Sequence, residues 1–335
     1  MNKSLTLAYL GIIIATFFWG TNFNAGAYIV AHQPPITASL ERFAIATLVM
    51  LTVFGLRGQL RLSTLRNNWP AYLGLGLLGF TLFNLCTFFG LQSTTPVNGA
   101  LILATTPLWT LVFGLIWQHE KLSWPRAAGL LCGLTGVVLV ITQGDIQILL
   151  RLNVSRGDGI ILLGSLAWAL NMVGTRRWVH NATPVETTSY SMLFGTLALL
   201  PLAFYFETPW RNLTDSALSV HAAVLYLALC GSLLAYLLWF NGLAQVGAVR
   251  TAIFFNLAPV FTLLVSTLTG HAPNGWQLGG AVWVILGVLL TSGVLNPLWQ
   301  RRVNAASHLG EGNGCHRAGE VSGGARTRPA DQVRL

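Results

Sequence analysis

Two short strings carry the side chains best suited to holding a small organic solute. The WGTN at 19–22 and the WALN at 168–171 each set an indole and a carboxamide three residues apart, Trp19 with Asn22 and Trp168 with Asn171. On a helix that spacing puts both side chains on one face. An indole wall beside an amide that both donates and accepts hydrogen bonds suits non-covalent recognition of a molecule with an apolar body and polar groups. The same amides would equally serve as ties between helices, which are usually worth about 0.6 to 2 kcal/mol.

Further polar side chains stand inside apolar runs. Asn256 precedes Pro259 by three residues, and a proline inside a helix removes a backbone donor and frees a carbonyl four residues earlier, so polar backbone becomes available to line a cavity. Pro107 does the same in its own run, and the two prolines are candidate hinges. Asn84 and Tyr236 are further candidates for solute contact. Arg42, next to Glu41, would either gather a carboxylate at a cavity mouth or snorkel to the lipid interface. Tyr236, Trp239 and Phe240 form an aromatic cluster, for which anchoring at the interface is the expected role.

Covalent and metal chemistry find little footing. The chain has 10 Asp and Glu and 7 His, and they fall at run ends, in loops or near the C-terminus. His119 and His271 stand in polar gaps that fall on opposite sides of a membrane in the span order below. Cys86, Cys132, Cys230 and Cys315 form no CxxC pair, and a GxxxxGK[ST] nucleotide loop is missing. No catalytic residue, metal site or cofactor is expected.

The elements that must position these residues are set by composition. Of 335 residues, 53% are hydrophobic and only 9% are charged, against the quarter or so that a soluble domain needs. Crossing a bilayer takes about 20 apolar residues in a helix. Such runs lie near 6–30, 36–56, 70–91, 95–117 and 124–142, and after a polar gap near 159–180, 185–206, 219–241, 248–269 and 275–298. The expected fold is an all-α integral membrane protein of ten transmembrane helices. Residues 299–335, rich in Gly, Arg and Ser, read as a disordered cytoplasmic tail. The first run is longer than a signal peptide's apolar region and is read as a retained helix.

The chain also repeats itself. A shift of 152 lays 85–137 on 237–289 and matches Phe88 with Phe240, Gly90 with Gly242, Pro107 with Pro259, His119 with His271 and Trp124 with Trp276. A shift of 149 lays WGTN on WALN and Pro35 on Pro184. The implied units are 6–142 and 159–298, each of five helices. Because five is odd, the second copy starts on the opposite side and the repeats are inverted, an architecture common among secondary transporters. Lys3, Arg57, Arg61, Arg66, Lys121, Arg126, Arg176, Arg177, Arg250, Arg301 and Arg302 fall on one side, against Arg42, Arg151, Arg156 and Arg211 on the other. Positive charge gathers on the cytoplasmic side, so both termini are expected there. The formal net charge of +9 is therefore read as topology, and no nucleic-acid partner is expected.

The order of motifs resembles the EamA type of the drug/metabolite transporter superfamily. It rests on WGTN, ERF at 41–43, TTP at 105–107, HEKLSWPRAAG at 119–129, WALN, LAP at 257–259 and GWQLGGAVWVILG at 275–287, over residues 6–298. The resemblance implies a ten-helix inner-membrane transporter of small organic metabolites, often amino acids or related compounds and often outward, with a cavity between the halves. It also implies a carboxylate at the ends of the fourth and ninth helices, where this chain has Glu120 but Ala272.

Export of a small organic solute by alternating access is the leading expectation. A facilitator or exchanger of a phosphorylated or nucleotide-linked solute is the alternative, and a lipid-modifying membrane enzyme a remote one. The expected partners are the solute and the lipid bilayer, with monomer and homodimer both open.

Overall fold

Long apolar runs punctuated by Pro, Gly and charge leave helix as the state in which every backbone group is satisfied in lipid. The computed structural model describes residues 3–93, 99, 102–117, 123–145, 147, 150, 155–268 and 273–292, and no strand occurs among them. His119, Glu120, His271, Ala272 and residues 299–335 lie outside the described residues.

In chain order the helices are α1 (Lys3–Val30), α2 (Pro35–Leu56), α3 (Leu62–Leu75), α4 (Phe83–Leu91), α5 (Thr106–Trp117), α6 (Trp124–Thr142), α7 (Arg156–Trp178), α8 (Pro184–Phe206), α9 (Pro209–Asp215), α10 (Leu218–Tyr226), α11 (Ala235–Val246), α12 (Ala248–Ala252), α13 (Leu257–Leu268) and α14 (Gly275–Ser292). A π-helical stretch, Gly76–Leu82, joins α3 to α4, and another, Leu227–Leu234, joins α10 to α11. A 3₁₀ turn, Ile253–Asn256, joins α12 to α13. Among the described residues eight helical segments are long and apolar enough to cross a membrane, and Ile102–Trp117 and Gly275–Thr291 are shorter apolar helices. The fold is that of a multi-pass membrane protein. Large apolar side chains such as Leu131, Tyr205, Val282 and Trp283 point outward, as contact with lipid requires.

Helix ends follow local chemistry. Ser155 and Asp158 form a reciprocal capping box at the start of α7, and Thr183 and Glu186 form another at α8. The run expected from residue 70 begins instead at Leu62 and carries Pro70 inside it. The short α9 was not expected.

α1 packs against α11 and α13, α7 packs against α4 and α5, α2 lies along α8, and α6 lies along α14. The first half of the chain is thus held largely by the second. Glycines let the α6–α14 pair come backbone to backbone. A Cβ on Gly287 would stand 2.6 Å from the Gly129 carbonyl oxygen and from the Gly133 nitrogen.

Two carboxylates pin the ends of α8, one to the start of α2 and the other to the start of α3. Glu207, just past α8, accepts from the backbone N–H groups of Ile36 and Thr37 at the start of α2. At the other end the Glu186 side chain is fully buried, accepting from Arg61 Nε and Nη2 at 2.9 Å each and from the Arg61 and Thr183 backbones. Replacing it orphans several donors, while Arg61 is half exposed and regains water. Glu186→Ala is therefore expected to cost about 2 to 4 kcal/mol, read as a lower thermal midpoint in detergent, with Glu186→Gln in between.

Candidate functional site

A cavity enclosing about 760 Å³ of non-protein space, its open mouth included, lies between the halves. Its lining follows α1 from Trp19 through Asn22 and Gly26 to Val30, about three turns or 16 Å. The cavity therefore lies toward the Val30 end of α1, away from Lys3.

An aromatic cluster closes it below. Trp19 meets Trp168, Tyr236, Trp239 and Phe255 with ring centroids 5.8, 5.5, 4.8 and 5.7 Å apart. Tyr236 stacks on Phe80 at 4.7 Å, and Phe83 stacks on Trp168 at 5.1 Å. Tyr236, Trp239 and Phe240 are buried at the centre of the bundle, so the expected anchoring at the lipid interface does not hold. The reason is tertiary: Trp19, Trp168 and Phe80 converge on them and supply the apolar partners that an interface would otherwise offer.

The two π stretches stand beside the cavity wall, which takes up at Phe83 directly after the first and includes Leu227 of the second. Position 79 falls on 231 under the 152-residue shift, and each glycine faces an asparagine of the other half. A Cβ on Gly79 would stand 2.4 Å from Asn171 Nδ2, and one on Gly231 would stand 2.0 Å from Asn22 Nδ2. Side-chain donors capture backbone carbonyls here: Asn171 Nδ2 donates to Leu75 O at 2.8 Å, and Trp19 Nε1 donates to Gly231 O at 2.9 Å. Inserting a donor into the helical ladder is a recognised cause of such local unwinding, and π segments recur at functional sites. Asn84 adds its own bonds to Gly79 O and Phe80 O.

Arg42 is 7% exposed and faces the cavity, so it does not snorkel. Its Nε donates to Ser232 Oγ at 2.6 Å, Nη2 reaches Gly231 O at 3.4 Å, and the guanidinium carbon lies 5.0 Å from the Phe43 ring centroid. Its neighbour Glu41 turns elsewhere. Both Glu41 oxygens are taken, one by His221 Nδ1 at 2.6 Å and the other by Gln33 Nε2 at 3.0 Å. His221 Nε2 faces Leu213 O at 3.0 Å, so both ring nitrogens point at acceptors, an arrangement that suits the imidazolium.

The model of the EamA-like transporter family matches residues 6–142 and again residues 155–293. The chain belongs to the EamA-like transporter family. It is 37% identical over 287 residues to a Bacillus subtilis protein named uncharacterized transporter YyaM, covering 86% of this chain and 94% of that one. It is 28% identical over 298 residues to the Escherichia coli K12 protein named uncharacterized inner membrane transporter YedA, covering 86% and 90%. A crystal structure of a protein 21% identical superposes with a TM-score of 0.72 over 87% of this chain and 98% of the other, a likeness of fold.

Both family-matched segments wall the cavity. The first supplies Trp19, Asn22, Arg42 and Asn84, and the second supplies Trp168 and Tyr236. Asn171 and Asn256 stand apart from these six. Asn171 is fully buried as a tie to α3. Asn256 is buried against Gly133 of α6, and its amide has no hydrogen-bond partner among the described residues. Pro107 and Pro259 each follow a break in α geometry, at Thr105 and at the 3₁₀ turn Ile253–Asn256. Near the start of the next helix the missing proline N–H leaves no bond unmade. Sequence reasoning missed Ser232, Phe255 and the π stretches. The one signal for the last was the coincidence of Gly79 with Gly231 under the repeat shift.

Proposed function

We propose that the chain is a secondary transporter of the inner membrane that exports a small organic metabolite, an amino acid or related compound, by alternating access. The observation that carries this reading is a cavity walled by both family-matched segments and closed at one end by aromatic rings drawn from both. Such a site, between halves able to rock against each other, needs only an exchange of which end is closed to move a solute across. The support for ten spans as inverted five-helix repeats is the pair of matched segments together with eight long and two shorter apolar helices. The Lys and Arg distribution supports a cytoplasmic side for both termini, on which the cavity would face outward. The Escherichia coli relative is named an inner membrane transporter, which supports an inner-membrane location.

Pro107 and Pro259 would serve as the hinges, since each follows a weakened stretch of helix. A phosphorylated or nucleotide-linked solute would call for several cations, whereas Arg42 alone is charged among the described lining residues. Membership of the EamA-like transporter family and the transporter names of its relatives favour transport over the enzyme reading.

The test compares metabolites inside and outside cells that overproduce the chain, beside cells producing Trp19→Ala. A solute that leaves faster with the intact chain, but not with the variant, is the expected result. Unchanged levels of every solute, with the protein verified in the membrane, would count against export.

A further inference from the structure

We infer that the cavity selects a small organic monocarboxylate with a largely apolar body, and that Arg42 is the residue which reads its charge. The inference rests on the transporter reading of the same cavity and narrows its solute from amino acids and related compounds to acids without a free amine. Arg42 has no ion-pair partner among the described residues. A guanidinium carries five N–H donors and stays protonated, yet only Nε and Nη2 meet acceptors among the described residues, and both acceptors are neutral. Burying a cation without a counter-charge is expensive in lipid surroundings, and such groups occur where a pathway or ligand uses them. The adjacent Glu41 would have been the natural counter-charge. Its two oxygens instead turn to His221 and Gln33, so the charge of Arg42 is left for whatever fills the cavity.

The surroundings narrow the class. One guanidinium matches one carboxylate through two parallel N–H donors. No acid stands among the described lining residues, so an amine would find no counter-charge there. Trp19, Phe83, Phe88 and Trp168 give the rest of the wall an aromatic surface suited to an apolar body. The Asn22 Oδ1 atom is buried without a partner and would accept from an N–H or O–H of the solute.

The purified full-length chain tests this without transport. Thermal stabilisation is measured with phenylacetate, indole-3-acetate and isovalerate, each beside its carboxamide and the corresponding amine. At least one carboxylate should stabilise the protein while its amide and amine do not. Arg42→Gln should weaken that binding by at least about tenfold, and Arg42→Lys, which keeps the charge on a different geometry, should retain part of it. Asn84→Asp puts a carboxylate on the same cavity wall and should abolish binding of the acids, which keeps the idea testable should Arg42→Gln fail to fold. Equal stabilisation by acid and amide, binding unchanged in both Arg42→Gln and Asn84→Asp, or no stabilisation by any of the carboxylates would overturn the assignment. Those results would leave the transporter reading untouched, because it is judged by export from cells.

Discussion

Trp19→Ala is expected to lose flux of the transported solute by at least about tenfold and to lower stability by about 3 to 5 kcal/mol. Trp19 is the floor of the cavity and the hub of the ring cluster, in contact with Trp168, Tyr236, Trp239 and Phe255. Each such ring pair is worth about 0.5 to 1.5 kcal/mol beyond the area it buries. Truncation leaves a void where the closed end of the cavity should be. Trp19→Phe separates the contributions, since it keeps a ring but loses the donor to Gly231 O, a loss of about 1 kcal/mol. Thermal unfolding in detergent and efflux from loaded cells measure the two effects. A Trp19→Ala protein as stable and as active as the parent would remove the cluster from the account.

Gly287→Val should prevent stable folding. The α6–α14 pair is in backbone contact, and even a Cβ at Gly287 would press on the backbone of Gly129 and Gly133, neither of which can rotate away. The helices would have to separate along much of their length, with loss of the close packing that drives helix association in lipid. The expected cost is about 3 kcal/mol or more for valine, with a smaller loss for Gly287→Ala. The same substitution at Gly279 has open space around it and should be nearly silent. Yield of monodisperse protein and its thermal midpoint check both, and equal behaviour of the two valine variants would refute the packing argument.

Composition made the membrane setting legible, and paired Trp, Asn and Pro pointed to the two segments that the family model matches, because those residue types rarely coincide by chance in an apolar chain. Six of the eight proposed solute contacts line one cavity, since polar and aromatic groups deep in an apolar helix have few other places to go. Asn171 and Asn256 show where that logic ends. Depth in a helix is readable from sequence, but helix rotation is set by tertiary packing, and it turns Asn171 onto Leu75 O and Asn256 onto Gly133. The π stretches escaped because their cause lies in another helix, where side-chain donors reach over to take their carbonyls. Tyr236, Trp239 and Phe240 were misplaced for a related reason. An aromatic residue in an apolar helix looks the same at the lipid interface and in the bundle centre until its partners from the other half are in place.

Alternating access through the central cavity is tested most directly by thiol labelling from each side of the membrane, which needs no knowledge of the solute. Thr87 lines the cavity, and Thr251 is buried one turn beyond Phe255 toward the Lys3 end. Single Thr87→Cys and Thr251→Cys proteins are made in a background whose Cys86, Cys132, Cys230 and Cys315 are replaced by Ser. Thr87→Cys is expected to react with a membrane-impermeant maleimide only from the Val30 side, and Thr251→Cys only from the Lys3 side, more slowly. Occupying Thr87→Cys with reagent in the double variant should slow the second reaction further. Thr87→Cys reacting at equal rates from both sides would mean an open pore, and Thr251→Cys reacting from neither side would mean a sealed pocket. Either result would contradict transport by alternating access.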